Sequence, residues 1–303
     1  MTQLPNFIIF GSTKSGSTSL CNYLIQHPDI FISKKKEPNF FLHDEGSTVT
    51  DASGQKIDYT LSWYSYWFRH AHQPAVGEAS VSYLASETAP HRIKQMLPQV
   101  RLIAILREPV SRLYSHYWFE QRRTSKHQNA GSNTSQSSDI LTALHNDRNQ
   151  GSPLRYFEKG LYYRYLKRYF DLFERQQIRL FLFEDFTADP LGVSQEIFRF
   201  LEVDPSFVPV TGAKDAASGI PKNQRVYNFL YRDNPVRVAL RPVIRTLLPN
   251  QEKRRALWTR LVNWNLSRPS MDEQTKQTLA EMYRSDVLKL QDLIDRDLSR
   301  WLA

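Results

Sequence analysis

The stretch Phe7-Ile-Ile-Phe-Gly-Ser-Thr-Lys-Ser-Gly-Ser-Thr-Ser19 places one lysine and six hydroxyl side chains around two glycines, just ahead of a helical pattern. The apolar residues before Gly11 read as a short buried strand, and Leu20, Leu24 and Ile25 read as the inner face of a helix. A tight glycine-spaced turn leading into a helix N-terminus makes an anion site, because loop N–H groups and the positive end of the helix dipole converge on one point. The spacing from Gly11 to Gly16 to Thr18 reproduces the phosphate-binding loop of nucleotide hydrolases, except that Ser17 stands where the lysine belongs. The lysine has moved three places earlier, to Lys14. In that position its charge lies over the bridge between a 5′-phosphate and the group attached to it, rather than over the outer phosphates of a triphosphate.

Two further positions carry chemistry. Glu37 is wedged between Lys36 and the run Pro38-Asn39-Phe40-Phe41, on a partly buried turn where a carboxylate can be held and its pKa adjusted. Arg107 follows the most apolar strand pattern in the chain, Arg101 to Leu106, and Ser115 comes eight residues later, about two turns into a helix that Pro109 begins. Guanidinium and hydroxyl there offer charge-assisted contacts to an anion. The competing reading of Arg107 is a structural partner of Glu78 or Asp185.

These residues resemble the 5′-phosphosulfate loop of sulfotransferases that use 3′-phosphoadenosine 5′-phosphosulfate (PAPS). The resemblance continues in order through Lys36-Glu37-Pro38-Asn39-Phe40-Phe41, Gly77-Glu78-Ala79-Ser80-Val81-Ser82-Tyr83-Leu84, Arg107-Glu108-Pro109 through Tyr117, and Glu184-Asp185-Phe186. The branch is similar to the heparan-sulfate-type and related bacterial sulfotransferases, over roughly residues 6 to 230. The family implies a three-layer α/β sandwich with a mostly parallel central sheet and nucleotide-kinase-like topology, in agreement with the alternation of strand and helix patterns. It implies in-line sulfuryl transfer from PAPS, leaving 3′-phosphoadenosine 5′-phosphate (PAP), to a hydroxyl or less readily an amine of a carbohydrate or small-molecule acceptor. It also implies Glu37 as the base and Lys14 as the neutraliser of charge on the departing phosphate oxygen. Ser15, Gly16, Ser17, Thr18 and Ser19 would hold the 5′-phosphate, Arg107 and Ser115 the 3′-phosphate, and Lys222 would contact phosphate from a late Gly-x-Pro-basic loop. His43 and His116 compete with Glu37 for the role of base. Where related enzymes often carry a lysine or threonine pair after the second glutamate, this chain has Ala79 and Ser80, which leaves the acceptor contacts open.

The elements that must position these groups fit one domain over residues 1–303, with a nucleotide-binding core to about residue 230 and a helical part from about 231; a 41% hydrophobic fraction is ample for such a core. The first and second strands are expected side by side, so that the Glu37 turn faces the Lys14 loop. Residues 44 to 58 read as a polar surface loop, and Tyr59 to Phe68 as an aromatic helix on the sheet from which Trp63 or Tyr66 could line an acceptor pocket. Residues 122–138 read as an excursion over the acceptor or a plain insertion. Segment 235–264 reads as a basic amphipathic helix, packed on its own domain or lying on a membrane surface, and Val287–Trp301 as a closing helix.

Composition narrows the partners. The net charge of +9 suits a nucleotide cofactor and a polyanionic acceptor, while no groove-reading motif argues for nucleic acid. Cys21, the single cysteine, precludes an intrachain disulfide and fits a reducing compartment. No run approaches the ~20 apolar residues of a membrane span, and the first strand follows the initial Met-Thr-Gln-Leu-Pro-Asn directly. Eukaryotic glycan-modifying relatives are Golgi-anchored, so the expectation is a cytoplasmic bacterial enzyme without an integral membrane segment. No histidine, cysteine or carboxylate cluster reads as a metal site. Two rivals stand: a kinase or nucleotide hydrolase on the same loop, which would need magnesium, and a non-catalytic glycan- or lipid-binding module on a nucleotide fold.

Overall fold

The computed structural model describes residues 4–50, 54–127, 140–149, 154–211, 220–223 and 270–302, with positions 226, 254, 257, 260, 261 and 264–267. In chain order the elements are β1 (Phe7–Gly11), α1 (Ser17–Leu24), β2 (Ile30–Ile32), β3 (Ser47–Thr50), β4 (Lys56–Tyr59), α2 (Leu61–Tyr66), β5 (Ala75–Ala79), α3 (Ala89–Met96), β6 (Arg101–Leu106), α4 (Pro109–His127) and α5 (Ile140–Asn149). They continue with α6 (Tyr162–Leu172), β7 (Ile178–Leu182), α7 (Phe183–Ala188), α8 (Pro190–Leu201), β8 (Ile220–Pro221), β9 (Leu266–Ser267) and α9 (Glu273–Ile294).

Five strands form one sheet in the order β2-β5-β1-β6-β7, every pairing parallel. A parallel sheet is buried on both faces, so its strands are continuously apolar rather than alternating. Alternate residues then serve two cores. Phe7 and Ile9 of β1, with Ile103 and Ile105 of β6, pack on Leu20 and Leu24 of α1 and Ile197 and Phe198 of α8. Ile8, Phe10, Leu102 and Ala104 point the other way, toward Leu113 and Tyr117 of α4, Tyr165 and Tyr169 of α6 and Leu279 of α9. The expected three-layer α/β sandwich is therefore present.

The chain leaves β1 toward β2 on one side and leaves β6 toward β7 on the other, so the strand order reverses between β1 and β6. Open parallel sheets hold ligands outside the carboxyl ends of their strands at such a point. The loop after Gly11 and the segment after Leu106 both lie there.

Several expectations are corrected. The first two strands are not neighbours, because β5 inserts between them; a Cβ on Gly77 of β5 would stand 2.3 Å from the ring of Phe7, its register partner on β1, so glycine leaves the room on the sheet face that this ring fills. Residues 44–58 contain the antiparallel β3–β4 hairpin, whose short strands alternate exposed residues with half-buried Val49 and buried Ile57 and Tyr59. Ile25 is exposed, since α1 ends at Leu24. Helix α4 runs through 122–127, and the rest of the 122–138 segment lies outside the described residues. The closing helix starts earlier than expected, at Glu273, and ends at Ile294, with a separate turn at Ser299–Trp301. Residues 212–219 and most of 235–264 lie outside the described residues.

Candidate functional site

The loop after β1 is tied down on both sides. The Ser12 N–H donates to the Ile105 carbonyl of β6 at 2.8 Å, and the Ser12 and Ser15 hydroxyls are hydrogen-bonded to each other at 2.5 Å. Ser12 also lies 3.3 Å from the Tyr162 hydroxyl, which donates to the Arg107 carbonyl at 2.9 Å. Lys14 (φ 69°) and Gly16 (φ 86°) both turn left-handed, and Gly16 needs this freedom twice over, because a Cβ there would also meet the Phe183 ring at 3.2 Å. Gly16 stands at the N-cap of α1, where no side chain caps the helix and no acid occupies the first turn. The amides of Ser17, Thr18 and Ser19 are thus oriented for an anion, with the dipole favouring negative charge.

Arg107 reaches the same place from β6. Its guanidinium donates to the Lys14 carbonyl at 3.2 Å and stacks 4.7 Å from the Phe183 ring. Of the acids that could partner Arg107 structurally, Glu78 accepts from three hydroxyls and Asp185 pairs with Arg296 at 2.7 Å. The Lys14 ammonium lies 4.1 Å over the Phe119 ring. Ser115 and Phe119 are one helical turn apart on α4 and share a face, so buried Ser115 lies on the side of α4 that meets the loop. The start of α4 is fixed by Glu108, whose carboxylate accepts the Val110 and Ser111 N–H groups at 2.7 and 2.6 Å.

The Glu37 turn arrives from β2 by crossing the end of β5. Lys36 donates to the Thr18 hydroxyl at 3.3 Å, so the turn does meet the loop, through this contact rather than through adjacent strands. Glu37 itself is half-buried with φ 51°, and Asn39 follows at φ 55°. Burial raises the Glu37 pKa, with Lys36 and Lys159 opposing. The turn is anchored by hydroxyls: Ser80 accepts the Asn39 N–H at 3.0 Å and Tyr83 accepts the Phe41 N–H at 3.3 Å. Both hydroxyls pass their own protons to Glu78, Ser80 at 2.5 Å and Tyr83 at 2.9 Å, and Tyr64 adds a third at 2.9 Å. Burial pushes the fully enclosed Glu78 carboxyl up to about 7, against the three donors; the nearby Glu37 charge pushes it the same way.

The surroundings are cationic. His116 is buried, and its pKa falls to about 3 through burial and then the charges of Arg112, Lys159 and Lys14. It is held neutral and is a poor base. His43 is also lowered, by burial and then Arg92, and its ring lies against Tyr59 at 4.1 Å, away from the loop. Lys159, on the turn Glu158–Gly160 before α6, feels both Glu37 and the Arg112 and Arg155 charges. Nothing in the spacing of the sequence marks Lys159, because it approaches Glu37 only through the fold. Of the remaining positions, Lys222 is exposed beside β8, its N–H bonded to the Asn265 carbonyl at 2.6 Å, and the structure brings it into no described contact with the loop. Cys21 is half-buried on α1, its thiol pushed up to about 12 by burial. Among the described residues no group of three His, Cys, Asp or Glu side chains stands together as a metal site, and no helix is long and apolar enough to cross a membrane.

Residues 4–218 match the sulfotransferase domain family. A mouse bifunctional heparan sulfate N-deacetylase/N-sulfotransferase 4 is 27% identical over 209 residues, covering 67% of this chain and 23% of that protein. Human carbohydrate sulfotransferase 15 is 25% identical over 249 residues, covering 67% of this chain and 44% of that protein. The matched stretch therefore spans less than half the length of either relative. A crystal structure of a sulfotransferase from Alicyclobacillus acidocaldarius has a TM-score of 0.70 and 27% identity, covering 99% of this chain and 100% of that one.

Proposed function

Because this chain belongs to the sulfotransferase family by the match over residues 4–218, we propose that it transfers a sulfuryl group from PAPS to a hydroxyl of a carbohydrate acceptor. The observation that carries this reading is the junction at the strand-order reversal, where the Arg107 guanidinium bonds the Lys14 carbonyl at 3.2 Å. One bond joins the group suited to a 3′-phosphate to the loop suited to a 5′-phosphate. The uncapped amides of Ser17, Thr18 and Ser19 fit the 5′-phosphate end of the donor, and Ser15 braces the turn from within through Ser12.

Bound PAPS supplies the activated sulfuryl group. Lys14, whose ammonium lies on the Phe119 side of the loop, would hold the phosphate end of the donor and would offset the negative charge left on the departing phosphate. Glu37, raised by burial and steadied by Lys36 and Lys159, takes the proton of the attacking hydroxyl. His116, held down to about 3 by burial and neighbouring cations, adds no competing charge. Names of relatives support a glycan as acceptor, since both relatives quoted above carry heparan sulfate or carbohydrate in their descriptions.

The test is nucleotide selectivity. Calorimetry on the whole chain should show 3′-phosphoadenosine 5′-phosphate binding more tightly than AMP by about 2–3 kcal/mol, the worth of charge-assisted contacts to the extra phosphate. Equal affinities would remove the assignment of Arg107 and Ser115. Turnover of ATP with magnesium would move the chain to the kinase or hydrolase reading.

A further inference from the structure

Tyr162, the first residue of α6, is fully buried, and its hydroxyl stands between the phosphate loop and the end of β6. A hydroxyl has one proton to give. Tyr162 gives its own to the Arg107 carbonyl at 2.9 Å, so Ser12 must donate in its 3.3 Å contact with Tyr162, and Ser15 must donate in its 2.5 Å contact with Ser12. The protons therefore run one way, from Ser15 through Ser12 and Tyr162 to Arg107. Burial raises the Tyr162 pKa and keeps its proton in place. The Arg107 guanidinium then returns to the Lys14 carbonyl at 3.2 Å, on the peptide that joins Lys14 to Ser15. This closes a ring of hydrogen bonds in which Arg107 is held by its side chain and by its backbone.

The place of Tyr162 is set from the far end of the chain. Leu161, at the N-cap of α6, has no side-chain acceptor for the first amides of the helix. Asp286 of α9 serves them instead, accepting the Tyr163 N–H at 3.0 Å and the Arg164 N–H at 3.3 Å. A carboxylate there meets amides that the helix leaves unpaired and the positive end of its dipole. Three residues before Asp286, on the same face of α9, Tyr283 stacks on Phe157 at 4.4 Å and donates to the Phe157 carbonyl at 2.9 Å. A Cβ on Gly160 would stand 2.8 Å from the Tyr283 hydroxyl. The segment 157–164 is thus seated on α9, a helix that lies beyond residues 4–218 of the matched domain.

We infer that Tyr162 is a positioning residue for nucleotide selection, placed by α9 through Asp286, and that the ring it closes makes the Arg107 grip and the Lys14 loop act as one unit. The preference for a 3′-phosphorylated nucleotide then depends on a helix outside the matched domain, an inference that rests on the assignment of Arg107 and the loop to the two phosphates and adds what couples them.

The test is calorimetry with 3′-phosphoadenosine 5′-phosphate and with AMP on the full chain, for wild type, Tyr162→Phe, Asp286→Asn and the double variant, beside thermal melts. Phenylalanine keeps the ring and removes the hydroxyl; asparagine keeps the shape and removes the charge. Tyr162→Phe should weaken the bisphosphate about fivefold, the scale of one buried hydrogen bond, and AMP by less than about twofold, because AMP lacks the phosphate that Arg107 serves. Asp286→Asn should weaken the bisphosphate in the same sense and add nothing further in the Tyr162→Phe background, since it acts through that hydroxyl. Should Asp286→Asn fail to fold, Tyr283→Phe, which cuts the bond to the Phe157 carbonyl, takes its place with the same expectation. A merely structural loosening would weaken both nucleotides alike and would add in the double variant. Either result, or unchanged bisphosphate affinity in Tyr162→Phe, would overturn the inference and leave the sulfotransferase reading intact. Equal affinities for the two nucleotides in the wild type would instead remove the phosphate assignments, and the inference with them.

Discussion

Replacing Glu78 with glutamine should make the stability curves of wild type and variant diverge as pH rises, the variant becoming the more stable. Glu78 is fully buried and accepts hydroxyl protons from Tyr64, Tyr83 and Ser80, and burial still lifts its pKa from 4.5 to about 7. A carboxyl whose folded pKa lies above its unfolded value stabilises the fold most below the unfolded pKa, and that contribution is lost as pH rises through the folded one. The span from 4.5 to about 7 corresponds to roughly 3 kcal/mol, lost between about pH 4.5 and pH 7. Glutamine keeps the shape and does not titrate. Its oxygen can accept the two tyrosine protons while its amide faces Ser80, as the O–H of the protonated carboxyl does in the wild type below about pH 7. At pH 5 Glu78→Gln should therefore lie within about 1 kcal/mol of wild type, and at pH 8 it should be more stable, by about 3 kcal/mol on these figures. Thermal melts of both proteins across that range measure this, and the difference between them cancels other titrating groups such as Asp286, which burial raises to about 6. A difference that stays constant with pH would mean the three hydroxyls hold Glu78 ionised throughout, and the account of the network would be wrong.

Lys14→Ala should lower turnover by about a hundredfold or more while nucleotide affinity changes by less than about tenfold, because the contact to the departing oxygen strengthens only as charge develops there; chelation with EDTA should leave wild-type turnover unchanged. Loss of activity to EDTA with Lys14→Ala still active would refute that role. Gly16→Ala should weaken binding of 3′-phosphoadenosine 5′-phosphate and lower stability by about 1–3 kcal/mol, since the new Cβ at φ 86° meets the Phe183 ring at 3.2 Å. Calorimetry and melts on one preparation read both effects, and unchanged binding would show that the loop does not need its left-handed turn.

Much of the site was legible because it sits on local patterns. The apolar runs of β1 and β6 end in Gly11 and Leu106, and a parallel sheet presents the next residues at one edge, so the Lys14 loop and Arg107 could be read as neighbours. The Glu37 turn was legible as a turn, but its route was not. Strand adjacency is decided by packing between distant residues, here Phe7 on Gly77, and no local periodicity reports that β5 lies between β1 and β2. Glu78 stood among the recognised motifs yet its use was hidden, since its three hydroxyl donors come from α2, from the exit of β5 and from the turn that follows. Lys159 was missed for a related reason: it meets Glu37 across the fold, and a lysine before a glycine reads locally as a solvated turn. The β3–β4 hairpin reads as a loop in the sequence because two four-residue strands, Ser47–Thr50 and Lys56–Tyr59, carry too few apolar positions to display a period of two.

Removal of the acceptor proton by Glu37 is read most directly in the sulfuryl transfer rate of Glu37→Gln at saturating PAPS, beside calorimetric affinity for 3′-phosphoadenosine 5′-phosphate. Glutamine keeps the left-handed turn and its Ser80 and Tyr83 anchors, which bind backbone groups of Asn39 and Phe41, and removes only the basicity. Transfer should fall by at least about a hundredfold, within the range of positioned bases, with nucleotide affinity nearly unchanged and with His43→Ala and His116→Ala milder. Transfer at a near-normal rate in Glu37→Gln would contradict that role.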